Sequence, residues 1–303
     1  MELRVLKYFL AVAHEGNITR AAESLHLTQP TLSRQIQDLE EELGAPLFLR
    51  EKRRMELTDA GLLLKARAEE MTMLERKTLE QFAHLDEQVG GDVYFGCGET
   101  LAMGRVVEAL RPLARAYPQV HFHFLSGNYE QTLDGIRKGT IDFGVLCLSM
   151  PPRDFVWREV PFDDHWCLYM RDDHPLTAKK SIVAKDILHE PLLLSRQMAN
   201  GKEFDHWFGR SLSELNVRAT YNLIYNALFL VEQGLGLAFS LEGLISEHTY
   251  PHEHIVSRPL AGAPVSHNFI VWKPEQTFSR AAVAVRARLE EVFRERVENE
   301  EDE

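Results

Sequence analysis

Residues 17–50 read NITRAAESLHLTQPTLSRQIQDLEEELGAPLFLR, and this stretch decides the fold of the amino-terminal part of the chain. It contains two short helical patterns joined by a tight turn. Asn17 and Thr28 stand where N-cap residues are preferred, and Gly44 follows the second pattern as a C-cap. Pro30 falls in the first turn of the second helix, where its missing N–H costs nothing. The sequence therefore predicts a helix-turn-helix.

The second of these helices carries an apolar face and a polar face. Its apolar residues recur at helical spacing and predict one buried stripe, Leu32, Ile36, Leu39 and Leu43. On the polar face, Gln and Arg side chains can pair with adenine and guanine edges, and Ser or Thr can bond to bases or phosphates. A merely solvated surface helix would show the same pattern. The predicted DNA-binding residues of this helix are Thr28, Gln29, Pro30, Thr31, Ser33, Arg34 and Gln37.

Residues 21–50 resemble a known family. They fill nearly every position of the pattern AA-x-x-L-x-x-(T/S)QP-x-LS-x-QI-x-x-LE-x-x-LG-x-x-LF-x-R, which is typical of the winged helix-turn-helix of LysR-type transcriptional regulators. The resemblance favours DNA binding over the solvated helix. It also implies that the basic hairpin after this helix is the wing, which lies along the backbone or reaches the minor groove. The predicted wing contacts are Arg50, Arg53 and Arg54.

A formal net charge of −12 over 303 residues limits how the chain can meet DNA. An acidic molecule is repelled by phosphate, so any contact with DNA must be local. Residues 1–57 hold eight Lys and Arg against nine Asp and Glu. The predicted DNA-binding region therefore depends on where its charges sit and not on their sum.

The cysteines and histidines give no metal or cofactor prediction. Cys97, Cys147 and Cys167 have no short pair spacing, which is typical of a reducing cytosol. Cys97 and Cys147 end neighbouring predicted strands, so a redox switch stays open beside the commoner role of small buried hydrophobes. His121 and His123 share a strand face without a carboxylate or cysteine at ligand spacing. No signal peptide or membrane-length apolar run is found, and a cytoplasmic protein without a membrane partner is expected.

A long helical pattern runs from Thr58 to about Val89 without an internal breaker. Its apolar residues leave a broken stripe near the coiled-coil period, so an isolated helix would expose too much apolar surface to water. Pairing with a second copy would cover the stripe, and packing on the chain's own carboxyl-terminal part is the alternative. The resemblance implies a linker helix through which homodimers form, with tetramers the usual assembly of the family.

From Asp92 onward, strands alternate with helices, as in a mostly parallel α/β sheet. GNYEQTLDGIRKGTIDFGVL at 127–146 resembles the effector domains of the same family, which implies two lobes with the periplasmic-binding-protein fold. The predicted fold class is α+β and multidomain. Its parts are a winged helix-turn-helix at 1–57, a linker helix at 58–89, effector subdomain I at 92–161 plus 267–297, effector subdomain II at 162–266, and an acidic tail at 298–303.

Small molecules bind such folds between the lobes, where strands end and helices begin. The resemblance places Thr100, Asn128 and Ser195 at positions that line the effector pocket, and Phe239 on the matching strand end. Arg196 can pair with a ligand carboxylate or with a surface acid, and Glu99 is unfavourable for a strongly anionic effector. The predicted effector-binding residues are Thr100, Asn128, Ser195, Arg196 and Phe239.

Three classes of function are compared. The leading one is a transcriptional regulator that binds operator DNA as a homodimer or homotetramer and responds to a small-molecule effector. A solute-binding protein without operator specificity is the alternative, and the predicted DNA-binding domain at 1–57 argues against it. An enzyme is the third class. The sequence has no phosphate loop, no GxSxG elbow and no paired nucleophile and base, so no activity is predicted.

Overall fold

The computed structural model describes residues 1–51, 54–83, 89–200, 202–246 and 253–300. The chain divides into two compact units, Met1–Leu85 and Asp86–Glu303. Each unit has its own hydrophobic core. Among the described residues, no helix combines the length and the apolar character that crossing a bilayer requires.

Within its described residues, the first unit contains four helices and a two-stranded hairpin. In chain order these are α1 (Leu3–Glu15), α2 (Ile18–Ser24), α3 (Gln29–Leu43), β1 (Phe48–Glu51), β2 (Arg54–Leu57) and α4 (Asp59–Ala83). The two strands pair antiparallel. The helices pack on a core that includes Leu6, Phe9, Leu32, Ile36, Leu39 and Leu47.

The predicted caps of the helix pair are confirmed. The Asn17 side chain accepts hydrogen bonds from two backbone N–H groups at the start of α2, and Thr28 accepts one at the start of α3. Gly44 ends α3 with a φ of +66°. The prediction for Leu43 is wrong, because this side chain is 42% exposed. The core of the unit passes from Leu39 to the hairpin and leaves the last turn of α3 outside.

Glu40, in the acidic half of α3, fixes the start of the hairpin. Its Oε1 accepts hydrogen bonds from the backbone N–H groups of Leu47, at 2.7 Å, and of Phe48, at 3.2 Å. A carboxylate that accepts two backbone donors makes stronger bonds than a neutral acceptor. Glu40 therefore ties the hairpin to α3.

Replacing Glu40 by alanine is expected to lower the free energy of unfolding of the first unit by about 1.5–3 kcal/mol, because bonds to a charged acceptor are lost. Urea unfolding followed by circular dichroism measures the change. Glu41→Ala is the matched control: Glu41 is exposed and makes no side-chain hydrogen bond within the described part of the chain. Its expected effect is within about 0.5 kcal/mol. Equal losses in the two variants would contradict this role for Glu40.

The linker helix is described over Asp59–Ala83, as α4. Thr58 caps it as expected, with its Oγ1 accepting from the Gly61 N–H at 3.0 Å. Residues 84–88 lie outside the described residues, and Val89 is not helical. Large apolar side chains on α4 are exposed, namely Leu62, Leu63, Met71, Leu74, Leu79 and Phe82.

The second unit contains ten strands and six helices among the described residues. Its strands are β3 (Gly91–Cys97), β4 (Val120–Ser126), β5 (Phe143–Leu148), β6 (Val156–Asp164), β7 (Trp166–Arg171), β8 (Leu192–Ser195), β9 (Val217–Tyr221), β10 (Leu237–Leu241), β11 (Ile255–Pro259) and β12 (Ser266–Trp272). Its helices are α5 (Met103–Ala116), α6 (Tyr129–Arg137), α7 (Arg196–Asn200), α8 (Asp205–Phe208), α9 (Ile224–Glu232) and α10 (Arg280–Glu300).

These strands form two five-stranded sheets, one in each lobe. The first lobe has the order β4-β3-β5-β12-β6, and the second lobe has the order β11-β7-β10-β8-β9. Each sheet has two parallel and two antiparallel pairs, so the mostly parallel sheet predicted from sequence is wrong. The reason is one reversed strand in each sheet. In the first lobe it is β12, along which the chain returns, and it runs antiparallel to β5 and β6. In the second lobe it is β7, along which the chain enters, and it runs antiparallel to β10 and β11.

The second lobe contains a short helix, α8, which Gly209 ends with a φ of +67°. In the first lobe, β6 pairs with β12 up to Asp164, which lies two residues past the predicted start of effector subdomain II at residue 162. The division of the second unit into effector subdomains stays a prediction in its exact limits.

Candidate functional site

The first half of α3 presents an exposed polar edge. Gln29, Arg34 and Gln37 are exposed and Ser33 is half-buried, whereas the apolar stripe of the same helix is buried. Within the described part of the chain, Arg34 makes no hydrogen bond or ion pair. Its guanidinium is therefore available for an external acceptor, which a bidentate guanine contact requires.

Other predicted contacts on α3 have partners inside the protein. The hydroxyls of Thr28 and Thr31 lie 2.8 Å apart, and Thr28 also caps the helix. Pro30 is exposed in the first turn. Among the described residues, the side chains with unused hydrogen-bonding groups on this edge are Gln29, Ser33, Arg34 and Gln37.

The wing is described in its strands and not at its tip. Arg50 lies on β1 opposite Met55, and Arg54 lies on β2 opposite Glu51. Arg53 lies outside the described residues, as does Lys52. The DNA contacts expected of the three arginines stay predictions.

The ends of several strands surround a cleft between the two lobes of the second unit. Its inner cavity has a volume of about 90 Å³ and adjoins an outer cavity of about 430 Å³. Four of the five predicted effector-binding residues line the inner cavity: Asn128, Ser195, Arg196 and Phe239. The sequence therefore locates this cleft, and binding of a ligand by these residues stays a prediction.

Thr100 does not line either cavity. It is 6% exposed, and its Oγ1 bonds to Asp164 Oδ2 and lies 3.0 Å from Asn268 Oδ1. Asn268 donates in turn to Asp164 Oδ2 at 2.7 Å and to the Phe162 carbonyl at 2.9 Å. This buried network joins the ends of the two strands that connect the lobes. Thr100 belongs to this network at the crossover, and its contact with an effector stays a prediction.

Glu99 bridges the cleft from the first lobe to the second. Its Oε2 accepts a hydrogen bond from the Ile224 N–H, at the start of α9, at 2.7 Å. Burial raises the pKa of the Glu99 carboxyl, and the bond from Ile224 lowers it in part. The sequence indicated that Glu99 is unfavourable for an anionic effector. It could not indicate the hydrogen-bond partner of Glu99, because Ile224 lies 125 residues further along the chain.

Two further hydrogen bonds cross the cleft. Gln197 Nε2 donates to the Cys147 carbonyl at 3.0 Å, and Ser149 Oγ donates to Glu203 Oε1 at 2.6 Å. The cleft is therefore bridged at both of its cavities.

Sequence reasoning missed several residues of the cleft lining. Trp166 and Tyr221 contribute aromatic surface to the inner cavity, and Asn222 adds an amide. Tyr221 ends β9, so the rule that ligands bind at strand ends would have indicated it once the strand was placed. Trp166 begins β7 at the crossover, and its Nε1 donates to Ser266 Oγ at 3.1 Å. No local sequence pattern signals that position.

The sequence indicated no carboxylate near His121 and His123, but the structure places one beside them. His123 Nε2 lies 2.7 Å from Asp92 Oδ1, and His121 Nδ1 lies 3.9 Å from the same oxygen. Asp92 comes from β3, which pairs with the strand of the histidines. In the described part of the chain, the group of three that meets metal-ligand distances is the surface cluster Glu159, Asp163 and His267.

The three cysteines are free, and two of them are buried. Burial raises the pKa of the Cys97 thiol and, more strongly, that of Cys147. The Asp164 carboxylate adds to the effect on Cys147, whose Sγ lies 3.6 Å from Asp164 Oδ2. A raised pKa keeps a thiol protonated at neutral pH, and the thiolate is the reactive form.

Both thiols are therefore expected to react slowly in the folded protein. At pH 7.5, alkylation of Cys97 and Cys147 by iodoacetamide should be about tenfold or more slower than in the urea-unfolded chain. Peptide mass spectrometry over a time course measures each site. Labelling of Cys147 at the unfolded rate would contradict its protonated, shielded state and restore the redox hypothesis.

A winged helix-turn-helix and a two-lobed unit with a cleft at its strand ends define a DNA-binding regulator with a ligand-binding domain. Residues 86–294 match the family model described as LysR substrate binding domain, and residues 3–62 match the model described as bacterial regulatory helix-turn-helix protein, lysR family. The chain belongs to the LysR family of transcriptional regulators. It is a DNA-binding transcriptional regulator with an effector-binding domain.

Known regulators are similar to this chain over 64% to 97% of its length. The Hca operon transcriptional activator HcaR of Escherichia coli is 30% identical over 284 residues, which is 90% of this chain and 92% of that protein. The dual regulator OxyR of E. coli is 32% identical over 196 residues, which is 64% of this chain and 63% of that protein. The full-length structure of CbnR complexed with target DNA shares the fold. Its TM-score is 0.70 at 22% identity, over 97% of this chain and 99% of that one.

Proposed function

We propose that this regulator reads its operator through Gln29, Ser33 and Arg34 and holds the DNA backbone or minor groove through Arg50, Arg53 and Arg54. The observation that carries the proposal is Arg34, an exposed guanidinium without a partner in the described part of the chain, on the helix edge opposite the buried stripe. Gln29 and Gln37 flank it with unused amides. Thr28, Pro30 and Thr31 shape the first turn, where backbone N–H groups favour phosphate.

Two copies would pair through α4. The support is the row of exposed apolar side chains on this helix, including Leu63, Leu79 and Phe82, which are 65%, 62% and 69% exposed. A second copy would remove this surface from water, and a twofold assembly would present two reader helices to a pseudo-symmetric site. Dimers and tetramers both fit this arrangement, and sedimentation at micromolar concentration distinguishes them from a monomer.

A small-molecule effector would bind in the interlobe cleft, contacted by Asn128, Ser195, Arg196 and Phe239. The support is the convergence of these side chains, from two lobes, on one cavity. We further propose that the chain catalyses no reaction and acts in the cytoplasm, where its operator DNA is found. Turnover of a candidate metabolite by the purified protein would contradict the first of these statements.

The operator contact is tested by selecting bound fragments from genomic DNA and comparing their affinity with that of random DNA. Specific fragments should bind at least about a thousandfold more tightly than random DNA. A protein that shows no preference, with or without small-molecule extracts of the cell, would overturn the proposed function. For the cleft, a thermal-shift screen of metabolites is the direct test, because a ligand that binds the folded state raises the melting temperature.

Replacing Arg53 by alanine is expected to weaken binding to every sequence alike and to reduce the salt slope of log affinity by about one unit, since one phosphate contact is lost. Fluorescence anisotropy over a series of salt concentrations measures the slope. Arg218→Ala is the control, because Arg218 is exposed on β9 of the second unit and belongs to neither the predicted DNA contacts nor α4. An unchanged slope for Arg50→Ala, Arg53→Ala and Arg54→Ala would exclude the wing from DNA contact.

A further inference from the structure

Among the residues that the structure describes, one acidic and one cationic side chain line the inner cavity of the cleft, Glu99 and Arg196. Glu99 is half-buried, and its hydrogen bond within the described part of the chain is the one that Oε2 accepts from Ile224. Its other oxygen, Oε1, has no such partner. A half-buried carboxylate with a single backbone donor is under-compensated, as the burial that raises its pKa also indicates.

Arg196 carries the opposite charge and also has no partner for it. Its side chain is exposed at the junction of the inner and outer cavities, and it lines both. Within the described part of the chain, no carboxylate lies within ion-pair distance of its guanidinium. A planar guanidinium matches a carboxylate in a two-bond geometry, so it offers a ready site for one.

These two charges limit the chemistry of a ligand that fills the cavity. A purely anionic ligand would be repelled by the Glu99 carboxylate, and a purely cationic ligand would be repelled by the Arg196 guanidinium. An uncharged apolar ligand would shield the half-buried Glu99 carboxylate from water without replacing its solvation, which is costly. A ligand with one group of each sign satisfies both side chains.

We propose that the cleft binds a small zwitterion of the α-amino-acid class, with its ammonium group at Glu99 and its carboxylate at Arg196. This inference rests on the proposed function and names the ligand class of the same cleft. The inner cavity of about 90 Å³ takes the charged head group, and the outer cavity of about 430 Å³ gives room for a side chain. The hydrogen bond from Ile224 to Oε2 is kept, because an ammonium group can donate to Oε1.

The test uses the full-length protein and three matched forms of each amino acid: the free zwitterion, its N-acetyl derivative and its carboxamide. The N-acetyl derivative lacks the ammonium group, and the carboxamide lacks the carboxylate. Thermal shift identifies the amino acids that bind, and titration calorimetry then gives their affinities. At least one free amino acid should bind about tenfold or more tightly than either of its derivatives, because a charged side chain left without its partner costs that much.

Two variants assign the groups. Glu99→Gln keeps an acceptor for the Ile224 N–H and removes the charge. It should weaken binding of the free amino acid about tenfold, and it should not weaken binding of the N-acetyl derivative, which has no ammonium group to lose a partner. Arg196→Gln should weaken binding of the free amino acid by a similar factor and should not weaken binding of the carboxamide. Glu214→Gln and Arg218→Gln are controls, since both residues are exposed in the second lobe and neither lines the cleft. Both controls should bind the free amino acid as the unmodified protein does.

The outcomes separate this inference from the proposed function. If other small molecules raise the melting temperature and no amino acid does, the zwitterion is excluded and an effector in the cleft still stands. Equal binding of the free and derivatised forms, or unchanged affinity in Glu99→Gln, excludes it as well. If no small molecule of any class binds, the effector role of the cleft fails together with its ligand class.

Discussion

Replacing Arg34 by alanine is expected to weaken binding to the cognate operator by about 1–3 kcal/mol, which is roughly a 5- to 150-fold increase in the dissociation constant. Arg34 is exposed on the polar edge of α3 and has no partner within the described part of the chain. Its alanine variant therefore breaks no contact that holds the unit together, and the loss should appear in DNA binding and not in the melting temperature.

Fluorescence anisotropy with the selected operator and with a random duplex measures both affinities. The preference for operator over random DNA should shrink in Arg34→Ala, because a base contact is lost and not only a phosphate contact. Arg218→Ala, on β9 of the second unit, should keep both affinities. An equal loss on operator and random DNA would reassign Arg34 to the backbone, and no loss on either would remove it from the interface.

Replacing Asp164 by alanine is expected to lower the free energy of unfolding of the second unit by about 2–4 kcal/mol, because buried polar groups lose their acceptor. Asp164 is 2% exposed and accepts from Thr100 and Asn268, which are 6% and 0% exposed. All three side chains lie where the lobes are joined. The variant should therefore also lower the affinity for any ligand that contacts both lobes.

Asp163→Ala is the matched control, one residue away on the same strand. Asp163 is exposed and bonds to His267 at 2.7 Å on the surface, so its removal should change stability by no more than about 0.5 kcal/mol. Calorimetric unfolding of the full chain resolves the two variants. If Asp164→Ala has the same free energy of unfolding as Asp163→Ala and the unmodified protein, the buried network contributes nothing to stability.

The elements that the sequence predicted well are those set by neighbours in the chain. Asn17, Thr28 and Gly44 mark helix ends through backbone groups within a few residues, and the structure places those ends where the sequence does. The same reasoning failed at Leu43, where burial depends on how far the core extends and not on helical spacing. It failed also for the sheets, whose strand directions follow from the path of the chain between lobes.

The sequence located most of the cleft for a similar reason. Polar residues after strand ends converge in any two-lobed fold of this kind, so Asn128, Ser195 and Arg196 could be chosen without coordinates. Thr100 satisfied the same rule and yet lies in a buried network, because its partners Asp164 and Asn268 are 64 and 168 residues away. Local patterns carry no information about partners at such separations.

By itself the sequence determined the helix-turn-helix, the family and the edge of α3 that faces outward, since caps and apolar spacing act over one or two helical turns. The tertiary structure alone decided which charges are already paired. Glu40 accepts a hydrogen bond from the backbone of the hairpin, and Glu99 accepts one from the first residue of α9. Arg34 and Arg196 have no partner within the described part of the chain. Pairing depends on distances between groups far apart in the chain, and only the packed fold fixes those distances.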